Sequence, residues 1–289
     1  MKISRAVIVA AGLGTRMLPA SKAIPKEILP VVDRPAIQYV VEEAVAAGVS
    51  EIIVVISPGR TTALDHFETA PELERHLEMR GKDEMLDTIR RIATMAHLTA
   101  VEQAEPLGLG HAVLQARDAI GGEPFAVMLP DDLFDSKRPC LGQMMAEAER
   151  LDAPVVALLR VAKSEVPKYG IVSGRKIAER LYRLTGMVEK PTVDKAPSDL
   201  AIVGRYILPP EIFEILAQGR PGAGGEIQLT DGLIELAGRR PLYGYEFEGT
   251  RYDIGDPFGF LTAQVGFGLK RADLADNFRA YLRTIISSS

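Results

Sequence analysis

Apolar positions in the first half of the chain group into short continuous runs that alternate with helical patterns. Three of these runs have no polar alternation and span residues 6–11, 51–56 and 125–129. Such runs are typical of strands in a parallel sheet that is covered on both faces. An apolar stripe that follows Pro35 and stops at Gly48 predicts a helix between the first two strands. The order strand, helix, strand predicts a βαβ unit and therefore an α/β fold.

The remaining chain continues this alternation to about residue 161 and then changes character. A polar helical pattern covers 71–96, with a break near Gly81, and strands are predicted at 98–101 and 154–161. Beyond 162, short β-like stretches at 170–173, 182–188 and 201–208 mix with turns and further helices. We expect a single domain over 1–289, in which residues 162–289 extend the sheet begun by residues 1–161.

Composition and charge exclude several classes of protein. The formal net charge is −5, so the chain lacks the excess of basic residues with which nucleic-acid-binding proteins hold phosphates. No nucleic-acid partner is expected. Cys140 is the only cysteine, which rules out an intrachain disulfide and fits a reducing compartment. No stretch approaches the ~20 apolar residues of a membrane helix, and the N-terminal apolar run is too short for a convincing signal peptide. We expect a cytoplasmic protein.

The first strand ends in a glycine loop that is followed by cations. Gly12 and Gly14 would let backbone N–H groups approach a phosphate, but position 17, where a dinucleotide fingerprint needs its third glycine, is Met17. The chain also contains no Walker phosphate loop. Arg16 and Lys26 suit a triphosphate. The residues alone leave two interpretations open, a phosphate-binding loop and an ordinary strand-to-helix turn with solvated cations.

Several longer motifs occur in order along the chain. They are AAGLGTRMLP at 10–19, KAIPKEILP at 22–30, GLGHA at 108–112, LPDD at 129–132, VEKP at 188–191, AIVGRY at 201–206, GEIQLTD at 225–231 and YDIG at 252–255. Together they resemble the sugar-1-phosphate nucleotidyltransferases, and among these the bacterial uridylyltransferases that act on glucose 1-phosphate. The resemblance covers nearly the whole chain.

The resemblance implies both a fold and a reaction. The fold would be the three-layer, Rossmann-like nucleotidyltransferase fold, with a central, mostly parallel mixed sheet and a C-terminal substrate-side extension. The reaction would be Mg²⁺-dependent transfer of UMP from UTP to glucose 1-phosphate, giving UDP-glucose and pyrophosphate by direct in-line displacement. Residues 1–161 would bind the nucleotide and 162–289 the sugar phosphate. The product would be a polysaccharide precursor, and the protein a homodimer or homotetramer.

Acidic residues offer a candidate metal site. Asp131 follows an apolar strand, at the sheet edge where open α/β proteins place their ligands. A carboxylate there could hold Mg²⁺ or cap the turn after Pro130, and the residues alone do not decide. The resemblance implies that Asp131 is the principal metal ligand and Asp253 a second one, with Asp132 as a neighbouring alternative.

The resemblance also implies roles for the remaining site residues. Arg16 and Lys26 would contact the triphosphate, and Lys190 the sugar phosphate. The residues expected at the nucleotide are Ala11, Gly12, Gly14, Glu27, Gln103 and Gly108. The carboxamide of Gln103 offers uracil both a donor and an acceptor. Gly170 and Glu189, together with Lys190, are expected at the sugar.

The residues leave three alternatives open. A thymidylyltransferase acting on the same sugar phosphate would use the same chemistry, and the residues do not separate UTP from dTTP or glucose from galactose. A dinucleotide-dependent oxidoreductase is disfavoured by Met17. A non-catalytic nucleotide sensor is disfavoured because the candidate catalytic residues are all present.

Overall fold

The computed structural model describes residues 1–222 and 225–288. Its strands are β1 (Arg5–Ala10), β2 (Pro30–Val31), β3 (Arg34–Pro35), β4 (Glu51–Ile56), β5 (His97–Glu102), β6 (Phe125–Met128), β7 (Asp132–Asp135), β8 (Val155–Arg160), β9 (Gly170–Lys176), β10 (Leu181–Glu189), β11 (Leu200–Leu208), β12 (Tyr243–Glu246) and β13 (Thr250–Asp253). Its helices are α1 (Ala36–Ala46), α2 (Thr62–Asp65), α3 (Pro71–Met79), α4 (Asp83–Ala93), α5 (Leu109–Gln115), α6 (Arg117–Ile120), α7 (Cys140–Leu151), α8 (Glu211–Leu216), α9 (Leu229–Arg239), α10 (Pro257–Gly268) and α11 (Ala275–Ser288).

Within these residues, nine strands form one mixed sheet in the order β5-β4-β1-β6-β11-β8-β12-β10-β9. Parallel pairing joins β5, β4, β1 and β6, as the continuous apolar runs predict. β11 runs antiparallel to both of its neighbours, β6 and β8. Because β8 lies between β11 and β12, strands from before and after residue 161 alternate within the same sheet.

The sheet is the middle layer of three. Ile8 of β1 belongs to a buried cluster with Val40 of α1. Its neighbour Val7 points to the other face of the sheet and belongs to a second cluster with Val113 of α5. Successive side chains of a strand point to opposite faces, so a strand covered on both faces must be apolar throughout. The predicted three-layer α/β architecture with a central mixed sheet is thereby confirmed.

A small antiparallel pair beside the main sheet was not predicted. β7 follows Asp131 directly and pairs with β13, so that Asp132 lies opposite Asp253. The backbone N–H of Ile254 donates to the carbonyl of Asp131 at 2.8 Å. These two short strands carry acidic residues at their ends and lack an apolar run. They bring sequence positions 131 and 253 to one edge of the fold.

The helical predictions hold in outline. The polar segment at 71–96 divides into α3 and α4, and Gly81 between them adopts a left-handed φ of 61°. Cys140 is buried in the core at the start of α7, a helix that was not predicted. No helix within residues 1–222 and 225–288 has the length and apolar character needed to cross a membrane.

Two phenylalanines of opposite burial provide a test of the packing. Phe125 is fully buried and stacks on Phe213 with ring centroids 4.8 Å apart, whereas Phe258 is 76% exposed. We expect Phe125→Ala to reduce the free energy of unfolding by about 3–5 kcal/mol. Phe258→Ala should change it by less than about 0.5 kcal/mol. Equilibrium urea unfolding measures both, and equal losses would contradict the layer assignment.

Candidate active site

Two adjoining cavities lie at the edge of the sheet where β1, β5 and β6 end. The first has a volume of about 460 Å³, and its lining includes Ala11, Gly12, Gly14, Lys26, Gln103, Gly108 and Asp131. The second has a volume of about 280 Å³, and its lining includes Arg16, Asp131, Gly170, Glu189, Lys190 and Asp253. Asp131 lines both cavities. Leu109, Leu129 and Glu226 also line both, so two carboxylates lie on the wall shared by the two cavities. Glu27 lines neither cavity.

The Asp131 carboxylate is paired with two cations. Lys26 Nζ donates to Asp131 Oδ2, and Arg16 Nη2 lies 3.9 Å from the same oxygen. Burial alone would raise the pKa of Asp131, but Lys26 and Arg16 outweigh it and lower the pKa. Burial likewise opposes the charge on Lys26, and its ion pair with Asp131 raises the pKa of the ammonium. Both partners are therefore charged.

Gly255 shows how closely the charged groups converge. A Cβ at this position would lie 2.6 Å from Arg16 Nη2, 3.0 Å from Asp253 Oδ1 and 3.1 Å from Asp131 Oδ2. Any larger residue would displace the guanidinium. Asp131 and Asp253, the two predicted metal ligands, and Arg16, a predicted phosphate ligand, therefore all lie next to Gly255.

This donor set fits Mg²⁺ held jointly with a phosphate. The described residues contain no cluster of three or more His, Cys, Asp or Glu side chains that could hold a metal without further ligands. Asp131 and Asp253 supply two carboxylates, and Mg²⁺ usually takes one or two of these plus waters and substrate phosphates. Asp132 fits this role less well than Asp253, because its side chain is only 4% exposed against 21% for Asp253. Both carboxylates accept from Arg251 and from a backbone N–H.

Arg251 is a central residue that the sequence analysis missed. Its side chain is almost fully buried, and it donates to Asp132 Oδ1 at 2.7 Å and to Asp253 Oδ2 at 3.1 Å. It also donates to the Tyr169 hydroxyl at 3.0 Å. The guanidinium thus fixes Asp253 relative to the backbone that precedes Gly170. An arginine between Thr250 and Tyr252 carries no local signal of this role.

In the first cavity, the amide of Gln103 is oriented by its neighbours. The Gln103 side chain is buried, and its Nε2 lies 3.2 Å from the Gly108 carbonyl and 3.0 Å from His111 Nδ1. Both amide donors are engaged by the protein, so Gln103 presents the acceptor Oε1 rather than the expected donor–acceptor pair. Gly108 has a φ of 104°, and a Cβ there would lie 2.8 Å from Glu226 Cβ. Only glycine fits at this contact.

In the second cavity, Glu189 and Lys190 are held next to each other. Glu189 Oε2 accepts from Thr230 Oγ1 at 2.7 Å, and a Cβ at Gly170 would lie 3.1 Å from the same oxygen. Lys190 Nζ lies 3.6 Å from Glu189 Oε1. The backbone of Lys190 has a φ of 45°, which is uncommon for a residue with a side chain. Such strain is concentrated at functional sites.

Glu27 departs from its predicted surroundings. It is only 3% exposed, and within the described residues its Oε2 has no hydrogen-bond partner. Burial raises the pKa of Glu27 to about 7. The structure therefore buries this carboxyl next to Lys26 in the chain and does not place it on the wall of the first cavity.

The family model for nucleotidyl transferases matches residues 5–267. The chain belongs to this family. A UTP–glucose-1-phosphate uridylyltransferase of Bacillus subtilis (strain 168) is 44% identical over 286 residues, which cover 99% of this chain and 98% of that protein.

Solved structures agree with this assignment. A UDP-glucose pyrophosphorylase complexed with UDP-glucose has a TM-score of 0.86 and 42% identity, with 93% of this chain and 100% of that chain covered. A UTP-bound UGPase from Acinetobacter baumannii has a TM-score of 0.90 and 39% identity, with 97% and 98% covered. The resemblance and the enzyme class predicted from the motifs are confirmed.

In this nucleotidyl transferase, the buried Glu27 carboxyl predicts a pH-dependent stability. Because its pKa rises from 4.5 to about 7 on folding, the unfolded chain loses this proton at a lower pH than the folded chain does. Wild-type stability should therefore fall as the pH rises through this window, and the uncharged Glu27→Gln variant should lack that loss.

The measurement is the difference in unfolding free energy between Glu27→Gln and wild type at pH 5 and at pH 8. We expect the difference to shift in favour of the variant by up to about 3 kcal/mol at the higher pH. The same difference at both pH values would show that Glu27 is not a buried, destabilised carboxyl.

Proposed function

We propose that the chain catalyses the Mg²⁺-dependent transfer of UMP from UTP to glucose 1-phosphate, giving UDP-glucose and pyrophosphate. One observation carries the proposal. Asp131, paired with Lys26 and Arg16, lies between the cavity of the expected nucleotide residues and the cavity of the expected sugar residues. A phosphate bound at that junction would face both substrates. The names of the relatives support the identity of those substrates.

The residues of the two cavities would divide the work of binding. In the first cavity, Gln103 Oε1 would accept a hydrogen bond from the N3–H of uracil, and the glycines at 12 and 14 would admit the triphosphate. Lys26 at the first cavity and Arg16 at the wall of the second would neutralise the triphosphate. In the second cavity, Glu189 would accept hydrogen bonds from sugar hydroxyls and Lys190 would bind the sugar phosphate.

The reaction needs positioning more than proton transfer. An oxygen of the sugar phosphate attacks the α-phosphorus of UTP, and the bond to pyrophosphate breaks in line. The attacking oxygen is ionised at neutral pH, so no general base is required. The chain's task is to bring two anions together and to stabilise the charge that develops on the leaving group. A cluster of cations at the junction serves both purposes.

Asp131 and Asp253 would hold the metal ion. When bound, Mg²⁺ would supply further neutralisation of the phosphates. Arg251 would keep the Asp253 carboxylate in place through its hydrogen bond to Oδ2. The proposal also includes action as a single domain over 1–289, a homodimeric or homotetrameric assembly and a cytoplasmic location.

Lys190→Ala tests the sugar-phosphate role. We expect kcat/KM for glucose 1-phosphate to fall by a factor that corresponds to roughly 2–4 kcal/mol of lost transition-state stabilisation, because one preorganised charge partner is removed. Lys195→Ala is the matched control, since Lys195 is an exposed lysine in the same loop that lines neither cavity. Steady-state kinetics measure both variants. Near-normal turnover with an unchanged KM in Lys190→Ala would refute the role.

The proposed reaction itself is tested by pyrophosphate release. UTP and dTTP are each combined with a panel of hexose 1-phosphates, with and without Mg²⁺. We expect the highest kcat/KM with UTP and glucose 1-phosphate, and almost no release without the metal. Preference for dTTP would identify a thymidylyltransferase. No release with any pair, together with nucleotide binding by calorimetry, would identify a sensor, and binding of NAD would favour an oxidoreductase.

A further inference from the structure

A fully buried arginine lies directly behind the candidate metal site. Arg205 is 0% exposed and is the only charged residue of β11, whose other residues are apolar or aromatic apart from Gly204. It is paired with Glu43 of α1, with 2.7 Å between Arg205 Nη2 and Glu43 Oε2. Taking such a pair out of water costs free energy, and apolar residues of similar volume are often at least as stable. A contribution to stability is therefore a weak explanation for the pair.

The remaining donors of Arg205 bind the loop that carries Asp131. Nη1 donates to the Leu129 carbonyl at 3.1 Å, and Nη2 donates to the Asp132 carbonyl at 3.0 Å. Nη1 also donates to the carbonyl of Gly204 at 2.8 Å. One guanidinium thus holds the backbone on both sides of Asp131.

Glu43 connects this guanidinium to two helices. Its Oε1 lies 3.2 Å from Arg205 Nε and accepts from the backbone N–H of Leu141, in the first turn of α7, at 3.0 Å. Arg205 and Glu43 therefore connect the loop at 129–132 to α1 and α7. These two helices pack on the face of the sheet opposite α5, the helix that lines the first cavity.

We propose that Arg205, oriented by Glu43, is a positioning residue that sets the Asp131 carboxylate for binding a divalent cation together with the nucleotide. This inference rests on the proposed function. A planar guanidinium has five donors and can serve a carboxylate and several carbonyls at once, whereas a lysine ammonium has three donors at one point. Displacement of a ligand by about 1 Å is enough to impair a site of this kind.

Arg205→Lys separates positioning from charge. The variant keeps a cation beside Glu43 but cannot hold both flanks of Asp131. We expect the Kd of Mn²⁺, measured by electron paramagnetic resonance in the presence of UTP, to rise at least about tenfold, the scale seen when residues behind a metal ligand are altered. The Mg²⁺ concentration for half-maximal pyrophosphate release should rise to a similar extent, with the KM for glucose 1-phosphate within about twofold of wild type.

Arg5→Lys is the matched control. Arg5 also pairs with a carboxylate, Glu51, at 2.8 Å and donates to a carbonyl, that of Ile120, at 2.8 Å. It begins β1, at the end of the strand opposite the site. Mn²⁺ binding and Mg²⁺ dependence should be unchanged in this variant.

A second variant guards against loss of folding. Arg205→Met combined with Glu43→Leu removes the buried charges as a pair, an exchange that often leaves stability intact. We expect it to melt cooperatively and to show the same weakened Mn²⁺ binding as Arg205→Lys. Folded variants with wild-type Mn²⁺ binding would overturn the inference, as would unfolding of both variants, which would make the pair purely structural. Absence of activity in the wild type would instead refute the proposed function.

Discussion

The ion pair between Asp131 and Lys26, with Arg16 close by, is the interaction on which the rest of the site depends. β6 delivers the carboxylate and the loop after β1 delivers both cations, so the pair closes the edge of the parallel sheet. The Lys26 and Asp131 side chains are only 15% and 16% exposed, so their attraction is stronger than it would be at an open surface, whereas Arg16 is 60% exposed. The same arrangement places Asp131 at the boundary that the two cavities share. In the proposed reaction, that boundary is where the two anionic substrates meet.

Two sets of cations serve different purposes around this boundary. Arg16, Lys26 and Lys190 line the cavities, where a ligand can reach them. Arg205 and Arg251 are buried and hold the acidic segments in place, Arg205 from behind the site and Arg251 at the wall of the second cavity. An acidic protein with a net charge of −5 can thus bind polyanions, because the relevant field is set by a few local groups and not by the total charge.

Much of the fold followed from local patterns. The strands at 6–11, 51–56 and 125–129 were predictable because each apolar run is continuous, and their parallel pairing followed from the helix between the first two. The pairing of β7 with β13 was not predictable, because it joins four-residue segments more than 100 positions apart with no apolar pattern of their own. The same long-range pairing places Asp253 opposite Asp132, and before the fold was known only the resemblance had linked Asp253 to Asp131.

The candidate site, like the fold, could be predicted from the sequence only in part. Asp131 could be predicted because a carboxylate after an apolar strand has a known place in an open α/β sheet. The burial of Glu27 could not, since a glutamate is usually exposed and its neighbour Lys26 faces the cavity. Arg205 did leave a signal, a single charge within an apolar strand, but its partner Glu43 comes from a distant helix and only the folded chain brings the two together.

The central claim is that a phosphate chain crosses from one cavity to the other past Asp131. The most direct test is a crystal structure of this protein with UDP-glucose bound. We expect the uracil to contact Gln103 and Gly108, the hexose to contact Glu189, and the diphosphate to lie beside Asp131 within reach of Lys190. A diphosphate bound away from Asp131, or a nucleotide and sugar sharing one cavity, would contradict the account.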